Sequence, residues 1–449
     1  MRNFLPKNLL KLADVCQESL YIVGGSVRDH LLGYSLEKDA DWDLSSPMSE
    51  DAFIAAAERC GFQVRAVYRN TGTVKLEDEG GAGYEFTRFR SDKYVRGVHA
   101  PSEITFTRDI TLDAVRRDFR ANAVYFEIKT GQFADPLGGI EDIKRKTLRT
   151  VAPASKVFGE DGLRLMRLAR IAAQIGFTPD KECLAGAKEH HALIRDIAPE
   201  RIYTELNLLL HADLKHGIKD GPYQGLKILH ETGVLQEILP ELTLGDGMVQ
   251  RPDFHDHDVL EHSLRAVRYS APDIRFAALL HDVGKPLCKL RDGNFHLHPE
   301  EGARLTYEIM GRWKAPKKLT EETAELVRLH MRDYNLEKKE SKVRADLVEA
   351  YPILTKLLEV KQADFSACKD VLSEAPCVTK WKNVLQKMRE EGAPLCLSEL
   401  AVNGDDLKRA GVKPQEVGTT LKELLLYCMQ NGKLNTMEKL LERIEKSND

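Results

Sequence analysis

The pattern of apolar and polar positions changes partway along the chain. Up to about residue 135, short runs rich in β-branched and aromatic residues are bounded by glycine or charge: Tyr21–Val23, Trp42–Ser45, Val64–Tyr68, Thr73–Leu76, Tyr84–Phe89 and Ala123–Ile128. Such runs predict strands. From Leu137 onward the apolar positions recur at intervals of three and four, as in EDGLRLMRLARIAAQIGF and PERIYTELNLLLHA, which is the period of a helix. The chain therefore reads as a small α+β head followed by a long α-helical remainder. Gly, Pro and polar residues cluster near Asp135–Gly139, Leu244–Asp253 and Leu372–Pro376, which predicts breaks there.

Length and composition narrow the class. At 449 residues the chain is too long for one ordinary core, so several domains are expected. A hydrophobic content of 42% and a charged content of 30% describe a globular protein, and no apolar run of about 18 residues predicts a membrane span. The opening MRNFLPKNLLKLADVCQESL reads as a short amphipathic helix containing Asp and Glu, without the apolar core and cleavage site of a signal peptide. Eight scattered cysteines form no CxxC pair, and are read as reduced thiols in a cytoplasm. The net charge of −4 differs from the basic balance of a protein that only clamps nucleic acid. RNA contacts would have to come from local patches.

The first group of chemical residues lies in the head. In YIVGGSVRDHLLG a strand runs through Gly24 and Gly25 into a helix start. The glycines allow a ligand to approach the backbone, and the amides of Ser26 and Val27 suit a phosphate. Arg28, one turn in, adds a guanidinium. Taken alone, GGSVRD is equally an ordinary strand–turn–helix junction. Asp41 and Asp43 flank Trp42, and residues two apart on a strand face one side. Paired carboxylates repel unless a cation lies between them, and Mg2+ prefers such oxygen ligands shared with substrate phosphates. Glu85, in another β-like run, offers a third carboxylate. The bland alternatives are a solvated acidic turn and an exposed strand-edge glutamate.

GGSVRD followed by DWD resembles the nucleotidyltransferase domain of the DNA polymerase β superfamily, and more narrowly the bacterial CCA-adding enzymes and poly(A) polymerases. VRRDFRANA at 115–123, DPLGGIEDIKRKTLRTV at 135–151, EDGLRLMRLAR at 160–170 and PERIYTEL at 199–206 resemble further elements of that family in the same order. The resemblance implies that Asp41 and Asp43 hold Mg2+ and that Gly24, Gly25 and Arg28 cradle a triphosphate. It implies that Arg117, Asp118 and Asn122 lie near the ribose and phosphates, and that Asp161 and Arg164 read the incoming base. A carboxylate accepting from an exocyclic amine and a guanidinium donating to the ring would favour C and A over U. Three-residue spacing would put both on one helix face. The sequence departs from the pattern at Arg120, where Thr is usual, and in YVRGVHAPSEITF, which bears on substrate choice.

Residues 251–371 hold a second group: His262, the dyad His281-Asp282, His298, His330 and Asp364. Each histidine alone is most simply a core or boundary residue, but the order resembles the HD superfamily of metal-dependent phosphohydrolases. The resemblance implies one ion on His262, His281, Asp282 and Asp364, and a second on His298 and His330. Imidazole with carboxylate suits Mn, Fe, Co, Ni or Zn. Lys285, just past the dyad, is a candidate phosphate ligand or a solvated charge. The segment LAVNGDDLKRAGVKPQEVGTTLKELLLYCMQNGKLNT resembles the tail of CCA-adding enzymes that carry an HD domain, with Lys408, Arg409, Lys413 and Lys422 as candidate phosphate contacts.

The expectation is an α+β nucleotidyltransferase head with a mixed β-sheet (1–135), an all-α neck and body (136–250), an HD domain (251–371) and a helical tail (372–449). The implied activity is template-independent addition of C and A to the tRNA 3′ end from CTP and ATP. A poly(A) polymerase or an enzyme adding only part of CCA shares the head motifs. An HD phosphohydrolase with a nucleotide-binding head, or a non-catalytic RNA binder, are the alternatives of another class; paired carboxylates argue against both.

Overall fold

A computed structural model of the protein describes residues 1–35, 42–94 and 101–448. The chain divides into two compact units, Met1–Pro240 and Glu241–Asp449. No helix among the described residues is long and apolar enough to cross a membrane.

In the first unit, seven strands form one mixed sheet. They are β1 (Tyr21–Val23), β2 (Trp42–Ser46), β3 (Gln63–Tyr68), β4 (Thr73–Glu77), β5 (Gly83–Arg88), β8 (Tyr125–Glu127) and β9 (Phe133–Ala134). The order is β3-β4-β5-β2-β1-β8-β9, with β2 and β5 parallel and the neighbours of β1 antiparallel. Register explains the two faces. Trp42, Leu44, Tyr84 and Phe86 are partners across β2 and β5, all are buried, and the ring of Phe53 from the helix Glu50–Arg59 stacks on Phe86 at 3.8 Å. The alternate positions Asp43 and Glu85 pair directly, and Lys75 pairs with Glu85, so the polar side chains share the opposite face.

Two further strands, β6 (Arg90–Lys93) and β7 (Glu103–Phe106), form a separate antiparallel hairpin. The expected run through Phe89 ends at Arg88, and β6 begins two residues later. Past the head, Asp135 accepts from the amides of Gly139 and Ile140 at 2.7 and 3.0 Å and fixes the start of the helix Gly139–Arg145. The remainder of this unit is helical apart from one short parallel pair, Thr147–Leu148 with Thr178–Pro179. Its central helix, Leu163–Ile175, is buried along most of its length between Pro199–Leu210 and Gly221–Glu231.

The second unit is all helical among its described residues. One apolar cluster gathers Leu347, Leu357, Trp381 and Met388. A smaller one gathers Leu407, Leu424, Cys428 and Leu440 in the tail. Asn403 and Asp406 form a reciprocal capping box on the helix Gly404–Arg409, which satisfies two amides that the first turn leaves open. Lys408 pairs with Asp405 at 2.9 Å, and Arg409 pairs with Asp406 at 2.6 Å. All eight cysteines are free thiols.

Candidate active site and metal centre

An open cleft of 1140 Å³ lies in the first unit. It is lined by Gly24, Gly25, Ser26, Arg28, Asp43, Glu85, Arg117, Asp118, Asn122, Asp161 and Arg164. The sequence-derived head residues therefore converge on one cavity, apart from Asp41, which lies outside the described residues. Gly24 adopts φ 88°, and a Cβ there would stand 2.7 Å from an Asp43 carboxylate oxygen. Only glycine leaves that space for the carboxylate. Glu85, the direct cross-strand partner of Asp43, also lies 3.4 Å from Lys75. An all-oxygen donor set of this kind fits a hard divalent cation.

A buried polar chain ties the cleft floor together. Arg28 donates to Asp29 at 2.9 and 2.6 Å and to the Asn122 side-chain oxygen at 2.7 Å. Asn122 donates to Asp118 at 3.2 Å, and Asp118 accepts from Arg167 at 2.8 Å. Burial pushes the Asp118 carboxyl up, but Arg167 and the Asn122 bond outweigh it and hold the group below the ordinary carboxylate range. Asp29 behaves alike: against burial, His216, Arg28 and Lys215 hold it down. Arg117 donates to the Tyr125 hydroxyl at 3.1 Å and to Asp113 at 3.2 Å. Arg28 thus reaches the cleft already engaged by two side chains.

One expectation needs correction. Asp161 does not share a helix with Arg164: the helix Ala154–Glu160 ends before it, and Asp161 is extended at φ −149° and ψ 110°. Gly162 follows, and the next helix starts at Leu163. The Asp161 carboxylate accepts from the Leu163 amide at 3.0 Å, so the two residues meet at a helix break. Arg164 is itself engaged, donating to the carbonyls of Val157 and Arg116 at 3.0 and 2.8 Å and to Glu160 at 3.0 Å. Arg120, the departure from the family pattern, donates to the Thr150 carbonyl at 3.0 Å and is not among the residues lining the cleft.

Sequence reasoning passed over several lining residues: Asp29, Asp92, Arg167, Arg170, Lys215 and His216. For two of them a signal was present. Arg164, Arg167 and Arg170 recur every third residue, which predicts a basic stripe on one helix face. Asp29 closes the GGSVRD motif beside Arg28, but its other partners, Lys215 and His216 at 2.9 and 3.2 Å, come from a distant helix and give no local signal.

In the second unit His262, His281, Asp282, His298, His330 and Asp364 are all buried and meet at one place. His262 Nε2 lies 3.1 Å from both His281 Nε2 and Asp364 Oδ1. Asp282 lies 3.2 Å from His281, 3.3 Å from His298 and 3.7 Å from His330. The Nδ1 atoms of His281, His298 and His330 lie 2.8, 2.8 and 2.6 Å from the carbonyls of Ala278, Phe295 and Val327. A carbonyl only accepts, so each Nδ1 carries a proton and each ring turns its Nε2 inward. Burial lowers the His281 pKa, yet Asp282 and Asp364 raise it to about 10. Without an ion, a proton on His281 offsets the buried carboxylates. Imidazoles with paired carboxylates fit a transition metal. Lys285 forms a 2.6 Å ion pair with Asp282 and donates to Gln250 at 2.7 Å.

Fold, cleft and buried histidine cluster together define a nucleotidyltransferase head joined to a helical body and an HD domain. Residues 20–149 match the poly A polymerase head domain. Residues 176–244 match the probable RNA- and SrmB-binding site of polymerase A, and residues 259–364 match the HD domain. The multifunctional CCA protein of Chromobacterium violaceum is 35% identical over 317 residues, covering 66% of this chain and 70% of that one. That of Pseudomonas syringae pv. syringae is 27% identical over 93% of this chain and all of its own length. The crystal structure of the Bacillus stearothermophilus CCA-adding enzyme in complex with CTP superposes with a TM-score of 0.65 at 22% identity, covering 99% of both chains. The chain belongs to the CCA-adding enzyme family.

Proposed function

We propose that the protein adds C and A residues to the 3′ end of tRNA from CTP and ATP, in a cytoplasm that keeps its thiols reduced. The observation that carries this reading is the single cleft that gathers Asp43, Glu85, the Gly24–Arg28 turn and the basic helix face. The proposed division is catalysis in 1–135, base selection and RNA binding in 136–250, metal binding in 251–371 and tRNA contact in 372–449. Asp43, with Asp41 and Glu85, is the proposed Mg2+ site. Mg2+ bound there would acidify the 3′ hydroxyl and neutralise charge at the α-phosphate. Gly24, Gly25 and Ser26 admit the triphosphate to the backbone. Arg28, Asn122 and Asp118, linked in one chain, and Arg117, held by Tyr125 and Asp113, hold the ribose and phosphates without reorganising. Asp161 accepts the exocyclic amine of cytosine or adenine, and Arg164, fixed by its protein bonds, faces the ring.

The test uses tRNAs ending before CCA, after the first C and after CC, each given CTP, ATP or both, with the product ends sequenced. Stepwise completion to CCA is expected. A long A tail, or addition of only CC or only A, would move the assignment to the poly(A) or partial-adding alternatives.

The buried histidine cluster supports a second activity. With Mn, Fe, Co, Ni or Zn on His262, His281, Asp282 and Asp364, and on His298 and His330, the unit would hydrolyse phosphate esters. A 2′,3′-cyclic phosphate at a damaged tRNA end is the substrate that would give the two sites a common purpose, since its opening precedes extension. Protein loaded with Mn, Co or Ni that hydrolyses neither phosphomonoesters nor cyclic phosphates would remove this second reading alone.

A further inference from the structure

His262 differs from the other histidines of its cluster. Its Nε2 faces Asp364 and Asp282, but its Nδ1 is buried without a hydrogen-bond partner among the described residues, whereas the Nδ1 atoms of His281, His298 and His330 all reach carbonyls. The residue is fully buried. A buried polar atom without a partner is destabilising, and a ligand on it would relieve the mismatch.

Beside it stands His255, whose ring packs edge-on to that of His262 with centroids 4.9 Å apart and whose Nδ1 is also buried without a partner. Cys368 completes the group: ligand atoms of His255, His262 and Cys368 all lie within 4.8 Å of one another. The arrangement is held from several sides. Cys368 follows Asp364 by one turn of the helix Leu354–Lys369, so both project from one face. The Asp256 amide donates to the Cys368 carbonyl at 3.0 Å, and Lys369 donates to the Pro252 carbonyl at 3.3 Å. These bonds pin the turn that carries His255 against the end of that helix. The Tyr334 hydroxyl lies 3.6 Å from the sulfur, placed to donate to a thiolate. Of the two buried carboxylates beside the cluster, Asp282 pairs with Lys285, and Asp364 faces His262 and His281.

We propose that His255, His262 and Cys368 form a metal position distinct from the HD centre, selective for thiophilic ions such as Zn2+. Two imidazole nitrogens and a thiolate are softer than the imidazole–carboxylate set next door. His262 then bridges, with Nε2 on the HD ion and Nδ1 on the new one. Loading releases the thiol proton of Cys368 and, where Nε2 also takes the HD ion, the ring proton of His262, which Asp364 holds on Nε2 in the metal-free protein. The position does not need an ion in the HD centre and is independent of nucleotide addition.

The test titrates Co2+ into the metal-free full chain. A thiolate-to-cobalt charge-transfer band is expected. Cys368→Ser and His255→Gln should each lose that band and one bound ion, while keeping the HD ion and nucleotide addition by the head. His281→Ala should lose the HD ion and keep the band, which separates failure of this proposal from failure of the HD reading. Zinc-edge X-ray absorption of the wild-type protein supplies a measurement free of variants and should detect sulfur in the first shell. Absence of the band and of sulfur overturns the proposal. Equal ion counts in wild type and Cys368→Ser overturn it as well. Loss of the band in His281→Ala would make Cys368 a ligand of the HD ion and overturn the separate position.

Discussion

Gly24→Ala perturbs the head through one atom. The backbone at this position has φ 88° and ψ −147°, a region that only glycine occupies readily, and strain of this kind costs roughly 1–3 kcal/mol. The added methyl would stand 2.7 Å from Asp43 Oδ2, so the carboxylate must retreat by about 0.7 Å to reach an ordinary contact of 3.4 Å. A misplacement of about 1 Å in a reacting arrangement lowers the rate by about a hundredfold. A fall in kcat of about ten- to a hundredfold is therefore expected, with a Tm lower by roughly 2–10 °C for a unit of this size. Gly33→Ala supplies the contrast: φ there is 85°, but among the described residues nothing lies within 4 Å of the added carbon. It should lower Tm and leave kcat near wild type. Single-nucleotide addition to a tRNA ending in CC, with thermal unfolding of each variant, measures both quantities. Wild-type turnover by Gly24→Ala, or an equal loss in Gly33→Ala, would refute the steric argument.

Asp43→Ala should abolish nucleotide addition while leaving the metal-free Tm unchanged or higher, because a carboxylate facing Glu85 is removed; retained Mg2+-dependent addition would contradict the assignment. Asp161→Ala should raise the relative kcat/KM for UTP, since the acceptor for the exocyclic amine is gone; equal loss with every nucleotide would point to a structural role at the helix break. Lys361→Met should destabilise the second unit by about 2–4 kcal/mol in denaturant unfolding. It leaves the carbonyls of His330 and Arg332, both partners of the Lys361 ammonium, without their donor. Through His330 it should also loosen transition-metal retention, read by dialysis and metal analysis; unchanged retention would show that His330 does not depend on this support.

The legible parts of the sequence were those written in local periods. β2 alternates Trp42, Asp43 and Leu44, and that alternation is the two-faced strand of the sheet. The HD histidines sit on or beside helices whose apolar period is clear. The hairpin β6–β7 escaped notice because Arg90–Lys93 reads RSDK, with no β-branched or aromatic residue; it is held by pairing with Glu103–Phe106. The break at Asp161 was hidden inside a helical period that Gly162 interrupts without changing the spacing. Asp29 and His216 meet by tertiary packing alone. His255 and Cys368 belong to no local pattern, since each gains meaning from the unmatched nitrogen of a third residue.

The three histidine rings anchored to carbonyls have a further consequence. His281 follows directly on the helix Arg275–Leu280, His330 on Lys317–Leu329, and His298 opens His298–Arg312. Each ring is oriented by the carbonyl three residues before it. For His281 and His330 the carbonyl belongs to the preceding helix, and for His298 to the turn before its own, so the rings are oriented by the folded backbone and not by an arriving ion, and little ordering entropy remains for the metal to overcome. The same anchoring removes the freedom to adapt. An ion of different radius cannot be met by turning the imidazoles and must displace whole helix ends, so metal choice in this unit is governed by the stiffness of the helical scaffold as much as by the chemistry of the donors.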